Sequence, residues 1–339
     1  MKKKALNIKQ FDWIKTGNTK LPKGDWFVEW FSKGEFHAHK VLKVLGTSQT
    51  AFQKATLIET HTFGKCLIID TETQSCKFDE VFYHESLVCP SIIAHPNPKS
   101  ALILGGGEGA TARDILNTKT IKKLTMVDID TEIIQFAKKF MASWHRGSFK
   151  DKRMNLIVDD AKKFMEETKN KFDIIYSDLP SPIEGGPAFE MYTLEFYKTL
   201  KKKLNKNGIF AAQTGPGTPL QFSLHPAINN TLKKVFKIVR SYIVYIPSYD
   251  MPWAFTLCTD NKALDPVLMN PAQIDKLIAK KFKNKLEFID GETINGIFSI
   301  PKYYKTRMAK NKQVIRKNKP MFFTTSYKKK EKQHVKVKS

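Results

Sequence analysis

ALILGGGEGATARDILN, residues 101–117, decides how the rest of the chain is read. Four apolar residues, Ala101 to Leu104, run into Gly105, Gly106 and Gly107, then Glu108 and a fourth glycine, before a helical pattern opens at Ala110. That order spells a strand, a tight turn and a helix start. Glycines let the backbone come close to a ligand, and the first helical N–H groups face whatever lies above the strand end. In an α/β sheet, a turn at the carboxyl end of a strand is where nucleotide-like groups bind.

Strand and helix patterns alternate on the C-terminal side of this turn. Strands are expected at 101–104, 123–127, 155–158, 173–177 and 208–213, with later ones at 238–246 and 253–258. Helices are expected at 110–116, 132–141, 162–168, 193–204 and 222–236, the spacing of a doubly wound parallel sheet with both faces covered. On the N-terminal side, short alternating segments from Trp26 to Asp79, broken by Gly34, Gly46 and Gly64, predict a small antiparallel β domain. Residues 80–94 read as a linking helix and HPNPK, 95–99, as a hinge. The expected organisation is a polar arm over 1–25, the β domain with its helix over 26–95, the sheet domain over 96–301, and a basic extension over 302–339 whose end is disordered.

The chain has 339 residues and is 41% hydrophobic, enough for one large core and a smaller domain. Cys66, Cys76, Cys89 and Cys258 show no CxxC spacing, which suits reduced thiols in the cytoplasm better than disulfides or zinc, and no metal is expected. The sequence contains neither an uninterrupted apolar run of membrane-spanning length nor a signal-peptide core, so a membrane protein is not expected. The net charge of +24 invites a nucleic-acid reading. However, residues 302–339 carry 14 Lys/Arg against one acid, Glu331, and only six of the 57 basic residues are Arg. A Lys-rich background with a solvated tail accounts for this, leaving weak nucleic-acid contacts to the tail alone.

The ends of the first four strands of the sheet domain carry the chemistry. Strand one ends in Gly105–Gly107 and Glu108; strand two ends in Asp128, placed to accept both hydroxyls of a ribose. Strand three ends in Asp159 and Asp160, placed to accept from an exocyclic amine, and strand four ends in Asp178. A pyrophosphate binder would want positive groups here, whereas acids around a glycine turn suit a nucleoside bearing positive charge, such as a sulfonium. Any one of these acids alone could be a helix N-cap; four in register read as a site. Asp178 opens DLPSPIEGGPAFEMY, a long proline-stiffened loop with the character of a lid. Tyr83 and His84 precede the glycine strand, Gln213 ends the fifth strand, and Tyr249 and Trp253 lie in IPSYDMPWAF, all candidates for the same sheet edge.

Taken together, GGGEGATAR, VDID, DDA, SDLPSPIEGGPAFEMYTLEFY and IPSY resemble the spermidine synthase family of aminopropyltransferases, over about Trp26 to Phe323. The blocks TQSCKFDEVFYHE, HPNPK and LEFIDGETINGIF look most like the thermospermine synthases within it. The resemblance implies a seven-stranded, methyltransferase-like Rossmann sheet with a small N-terminal antiparallel β domain, assembled as a homodimer or homotetramer. It implies decarboxylated S-adenosylmethionine as co-substrate and 5′-methylthioadenosine as product. By the same resemblance Gln53, Asp128, Asp160, Ala161 and Pro187 hold the nucleoside, Glu108 contacts the donor's amine and Asp178 accepts a proton. Tyr83, His84, Gln213 and Tyr249 match the polyamine channel, with Trp26 at its far end; Trp253 is a further aromatic for the methylene stretches. The family loop carries a second Asp where this chain has Ser181; Glu184 and Glu190 are the candidates to replace it. The acceptor expected is spermidine, giving thermospermine. Putrescine, or the other end of spermidine, is the nearest alternative; methyl transfer and a non-catalytic RNA-binding role are more distant ones.

Overall fold

Leu102, Ile103 and Leu104 expose no surface, the burial of a strand covered on both faces. They belong to a computed structural model that describes residues 24–32, 35–186 and 188–323. The expected arm up to residue 23, the last part of the basic extension (324–339) and Pro187 lie outside the described residues. The chain forms two units, a smaller one that includes Gln53–Phe78 and a larger one of Thr50–Phe52 and Asp79–Phe323.

The smaller unit is an antiparallel sheet of β1 (Asp25–Ser32), β2 (Glu35–Gln49), β3 (Lys54–Thr60), β4 (Gly64–Ile69) and β5 (Glu72–Cys76), paired in chain order. Ile58, Cys66, Ile68 and Cys76 form its small core, with Phe27, Val41 and Phe63 packed against them. This is the small antiparallel β domain the alternating pattern predicts. Trp26, in β1, lies opposite Lys40.

The larger unit holds a seven-stranded sheet in the order β11-β12-β10-β9-β6-β7-β8. Its strands are β6 (Ser100–Gly105), β7 (Lys123–Asp128), β8 (Met154–Val158), β9 (Phe172–Asp178), β10 (Leu204–Pro216), β11 (Ile238–Ile246) and β12 (Met251–Thr259). β6 to β10 run parallel, and β12 is antiparallel to both neighbours. The chain builds outward from β6 to β8, then returns to place β9 on the other side of β6. The crevice between the ends of β6 and β9 is therefore the topological switch point, where open α/β sheets bind ligands.

Helix α1 (Glu80–Ala94), grouped with the β domain in the sequence reading, is part of the larger unit. Pro90 inside it has no N–H, which leaves the Ser86 carbonyl without its helical donor. Tyr242 Oη fills the gap, donating to Ser86 O at 2.9 Å. At the other end the Lys281 ammonium, itself buried, donates to the carbonyls of Ile92, Ile93 and His95 at 2.9, 2.8 and 2.6 Å. These bonds pin the helix that carries Tyr83 and His84.

Helices α2 (Ala110–Leu116), α3 (Thr131–Phe140), the one-turn α4 (Ala142–His145), α5 (Ala161–Glu167), α6 (Leu194–Lys202) and α7 (Leu224–Lys233) alternate with the strands, and α8 (Pro271–Lys281), α9 (Gly291–Phe298) and α10 (Lys302–Lys310) follow. At the turn after β6, Gly105 has φ +83° and an added Cβ would lie 2.4 Å from the carbonyl oxygen of Asp178. We predict that Gly105→Ala lowers unfolding stability by about 2–4 kcal/mol and reduces turnover with it, through steric overlap plus left-handed strain. Gly64→Ala, at φ +64° with nothing near its Cβ, carries only the strain and costs about 1 kcal/mol in the same denaturant titration.

Candidate active site

Glycine at 106 and 107 makes room for two carboxylates. A Cβ at Gly106 would stand 3.2 Å from Asp178 Oδ2, and one at Gly107 would stand 2.9 Å from Asp128 Oδ2. The Gly106 N–H donates to Asp178 O at 3.1 Å, which ties the turn to the end of β9. Asp178 is itself held on both oxygens: Tyr83 Oη donates to Oδ1 at 2.8 Å and Thr111 Oγ1 to Oδ2 at 2.6 Å. Burial, and beyond it the charge of Asp178, push the Tyr83 phenol well above its usual range, so it is a donor at neutral pH.

Glu108 meets His84, whose Nε2 lies 2.5 Å from Glu108 Oε1. On the ring's other side Nδ1 is 3.0 Å from Glu80 Oε2, and Arg113 donates to both Glu80 oxygens at 2.8 and 2.9 Å. Arg113 also pairs with Asp114 at 2.7 Å. Burial of His84 works against its charge, but two flanking carboxylates outweigh it and raise its pKa well above the ordinary value. Burial pushes the Glu108 carboxyl up in turn, against the pull of His84, so the pair shares its proton across the cleft wall with Glu80 and Arg113 behind it. Burial likewise pushes the Glu80 carboxyl up, and His84 and Arg113 override that to hold it far below the usual carboxylate range.

Asp128 accepts the Asp130 N–H at 2.9 Å. Asp130 in turn caps α3 and accepts from Thr50 Oγ1 at 2.7 Å. Asp160 stands at the next strand end, exposed, with Oδ1 capping α5 through the N–H groups of Lys162 and Lys163 at 2.7 and 3.1 Å. The cap reading of that acid is thus realised, and Ala161, buried, is the first residue of α5. Gln213 is buried and fully bonded: Nε2 donates to Leu179 O at 2.5 Å and to Tyr192 Oη at 3.1 Å, while Oε1 accepts from Gly215 N and Trp253 Nε1. Trp253 packs edge-on to Tyr249, with ring centroids 5.2 Å apart. Asp79, buried, fixes Tyr249 from the side by accepting from Ser248 N at 2.6 Å and Ser248 Oγ at 3.0 Å.

Glycines 105–107, Glu108, Asp128, Asp178, Tyr83 and His84 thus gather at one edge of the sheet, and Gln213 ties Trp253 and, through it, Tyr249 to Leu179, the residue after Asp178. Among the described residues no group of His, Cys, Asp and Glu could hold a metal ion.

The chain matches the spermine/spermidine synthase domain over residues 80–266 and the spermidine synthase tetramerisation domain over residues 25–77. This chain belongs to the spermidine synthase family. It is 41% identical over 297 residues to the polyamine aminopropyltransferase of Sulfurisphaera tokodaii, covering 87% of this chain and 97% of the relative. It is 43% identical over 298 residues to that of Sulfolobus acidocaldarius, with the same coverage. Spermidine synthase in complex with the transition state analogue AdoDATO superposes with a TM-score of 0.78 at 26% identity, over 86% of this chain and 97% of that one. Spermidine synthase from Thermotoga maritima gives 0.75 at 25%, over 86% and 96%. The chain is an aminopropyltransferase on the methyltransferase-like sheet.

Against that family frame, two expected residues belong to the smaller unit: Trp26 in β1, and Gln53 before β3, whose carbonyl accepts from Gln49 Nε2 at 3.4 Å. Pro187 lies outside the described residues. Glu184 is exposed in the loop, and Glu190 is paired with Lys162 at 2.7 Å and Lys317 at 3.5 Å. Sequence reasoning missed Thr111, Tyr192, Glu80 and Arg113. Thr111 had a signal, being a hydroxyl one turn into the helix that follows the glycine turn.

Burial raises the Asp128 carboxyl from 3.8 to about 6, against the pull of the Asp130 N–H and with added push from the charges of Asp130 and Asp178. Keeping it ionised at neutral pH costs about 3 kcal/mol for roughly two pK units. The sign follows: the folded state holds this proton more tightly than the unfolded one, so the penalty is absent below pH 3.8 and complete above about 6. Asp128→Asn should raise the denaturation midpoint at pH 7.5 and leave it unchanged near pH 4, as read by calorimetry at both values.

Proposed function

We propose that this chain transfers the aminopropyl group of decarboxylated S-adenosylmethionine to spermidine, giving thermospermine and 5′-methylthioadenosine. The observation that carries the reading is the Asp178 carboxylate, oriented by Tyr83 and Thr111 at the switch point of the sheet. An amine nitrogen attacks the carbon next to the sulfonium, the C–S bond breaks, and its electron pair leaves on sulfur as a neutral thioether. The obstacle is the nucleophile. A primary amine of pKa about 10.4 is protonated at neutral pH, and freeing its lone pair costs roughly 4 kcal/mol. Asp178 takes that proton as the amine attacks.

Asp128 accepts the ribose hydroxyls, and Asp160 and Ala161 at the start of α5 meet the adenine. Glu108 has one oxygen on His84 and turns the other to the donor's ammonium. Tyr83, Tyr249 and Trp253 flank the methylenes of the acceptor, with Gln213 fixing Trp253 and the loop, and Glu184 at the loop's exposed tip. The match to a tetramerisation domain supports a homodimer or homotetramer, and four free, buried thiols suit the cytoplasm.

Asp178→Asn should cut turnover by about 10²–10⁴, the usual worth of a general base, while methylthioadenosine still binds in calorimetry; near-normal turnover contradicts the assignment. Asp128→Asn should weaken methylthioadenosine by about tenfold or more, through loss of charge-assisted hydrogen bonds. Incubation with labelled donor and putrescine, agmatine, spermidine or cadaverine, followed by chromatography that separates spermine from thermospermine, tests the acceptor. Thermospermine from spermidine is the expected product; spermidine from putrescine as the main product refutes it.

A further inference from the structure

Past α10 the described residues, 311–323, stay on the larger unit. Asn230 Nδ2 donates to Asn311 O at 2.8 Å, Thr231 Oγ1 accepts from Ile315 N at 2.9 Å, and Leu194 N donates to Ile315 O at 2.9 Å. Ile315 is 1% exposed, in the core cluster that also holds residues of α6 and α7. This anchors residues 311–315 across the two helices. The segment that follows then reaches the loop between Asp178 and Tyr192. Lys317 Nζ pairs with Glu190 at 3.5 Å, the Phe322 ring lies 5.7 Å from that of Phe189, and the Phe323 N–H donates to Pro182 O at 2.5 Å. Met321 and Phe323 pack against the cluster that contains Leu179 and Ala188.

The same loop is held from the inside by other groups. Gln213 Nε2 donates to Leu179 O, and Tyr192 Oη to Pro180 O at 3.0 Å. These bonds fix the limb next to Asp178; on the far limb Lys162 pairs with Glu190 at 2.7 Å, and the contacts of residues 317–323 add Pro182, Phe189 and a second cation on Glu190. Between the two limbs Ile183, Glu184 and Gly185 are exposed. A loop gripped at one limb alone samples many conformations, and ordering it on each turnover costs entropy that a second grip removes in advance.

We infer that residues 315–323 are a strap that positions the Asp178–Tyr192 loop for the acceptor, with Phe322 and Phe323 as positioning residues and Lys317 as the latch on Glu190. This rests on the reading that the loop lines the acceptor side of the site. Ser181, in place of an acid, gives the loop one charge fewer with which to hold an acceptor nitrogen, so its shape carries more of the positioning. The strap touches neither the glycine turn nor Asp128 in any contact described above, so its effect falls on the acceptor and spares the donor.

The test compares the full chain with Phe322→Ala, with Phe322→Ala/Phe323→Ala, and with Lys317→Ala. Four readouts are taken: acceptor KM, kcat, methylthioadenosine Kd by calorimetry, and the rate of limited proteolysis within residues 183–186. Loss of preorganisation should raise acceptor KM by about tenfold in the double variant, leave the methylthioadenosine Kd within about twofold, and speed loop cleavage by about tenfold. The single variants should show smaller changes of the same pattern, which covers a double variant that folds poorly. Unchanged cleavage and unchanged KM in a folded double variant overturn the strap. Faster cleavage with unchanged KM overturns the acceptor reading of the loop and the proposal with it, while the role of Asp178 stands or falls on its own variant. Equal losses in acceptor KM and methylthioadenosine Kd also overturn it, because they mark general loosening.

Discussion

One constraint underlies the site: the backbone of the β6–α2 turn must pass between two carboxylates, so close to both that a Cβ at Gly106 or Gly107 would crowd them. The Gly106 N–H holds the Asp178 carbonyl, so the turn cannot back away from β9. Side chains at 106 and 107 would fall on Asp178 Oδ2 and Asp128 Oδ2. Only a chain without Cβ atoms there lets both acids face one cleft. The rest follows from where those acids sit. Asp178 is at the strand next to β6 on one side and Asp128 at the strand next to it on the other, which is the geometry of a switch point.

Collecting carboxylates in a half-buried cleft is unfavourable by itself, as the raised Asp128 pKa records. Two devices offset it. Asp178 takes hydrogen bonds from neutral hydroxyls, which orient it without cancelling its charge. Glu108 is paired on one oxygen with His84, which Glu80 and Arg113 hold in place from behind. Buried ion pairs of this kind add little net stability, and removing one partner is costly because the other is left uncompensated. What they provide here is a fixed local field. A chain of net charge +24 presents cationic substrates with a repulsive surface, screened beyond about 8 Å at physiological salt, so the acids within the cleft must dominate at contact.

Much of the fold was legible because its signals are local. Strands of the sheet fall where apolar runs end in glycine or aspartate, and α2 spans Ala110–Leu116 as its pattern predicts. The acids at the strand ends were legible for the same reason. Residues that act on other site residues across long sequence separations were not. Thr111 and Tyr83 meet only at Asp178, 67 and 95 positions away, and nothing in the intervening sequence announces it. Glu80 and Arg113 carry no signal of their own in the sequence; their pairing forms only when α1 and α2 pack together. Nor did the spacing of Glu190 announce its pairing with Lys162 and Lys317. The basic extension read as solvated tail, and its composition hid Ile315, Met321, Phe322 and Phe323, which dock it.

The central claim is that one carboxylate, fixed between Tyr83 and Thr111, receives the proton of the attacking amine. A crystal structure of the chain with methylthioadenosine and spermidine bound together tests it most directly. The account predicts the reacting amine nitrogen within hydrogen-bond distance, about 2.7–3.2 Å, of an Asp178 oxygen and in line with the thioether sulfur. An amine bound in the cleft but held by other groups, with Asp178 engaged by its two hydroxyl donors alone, contradicts it.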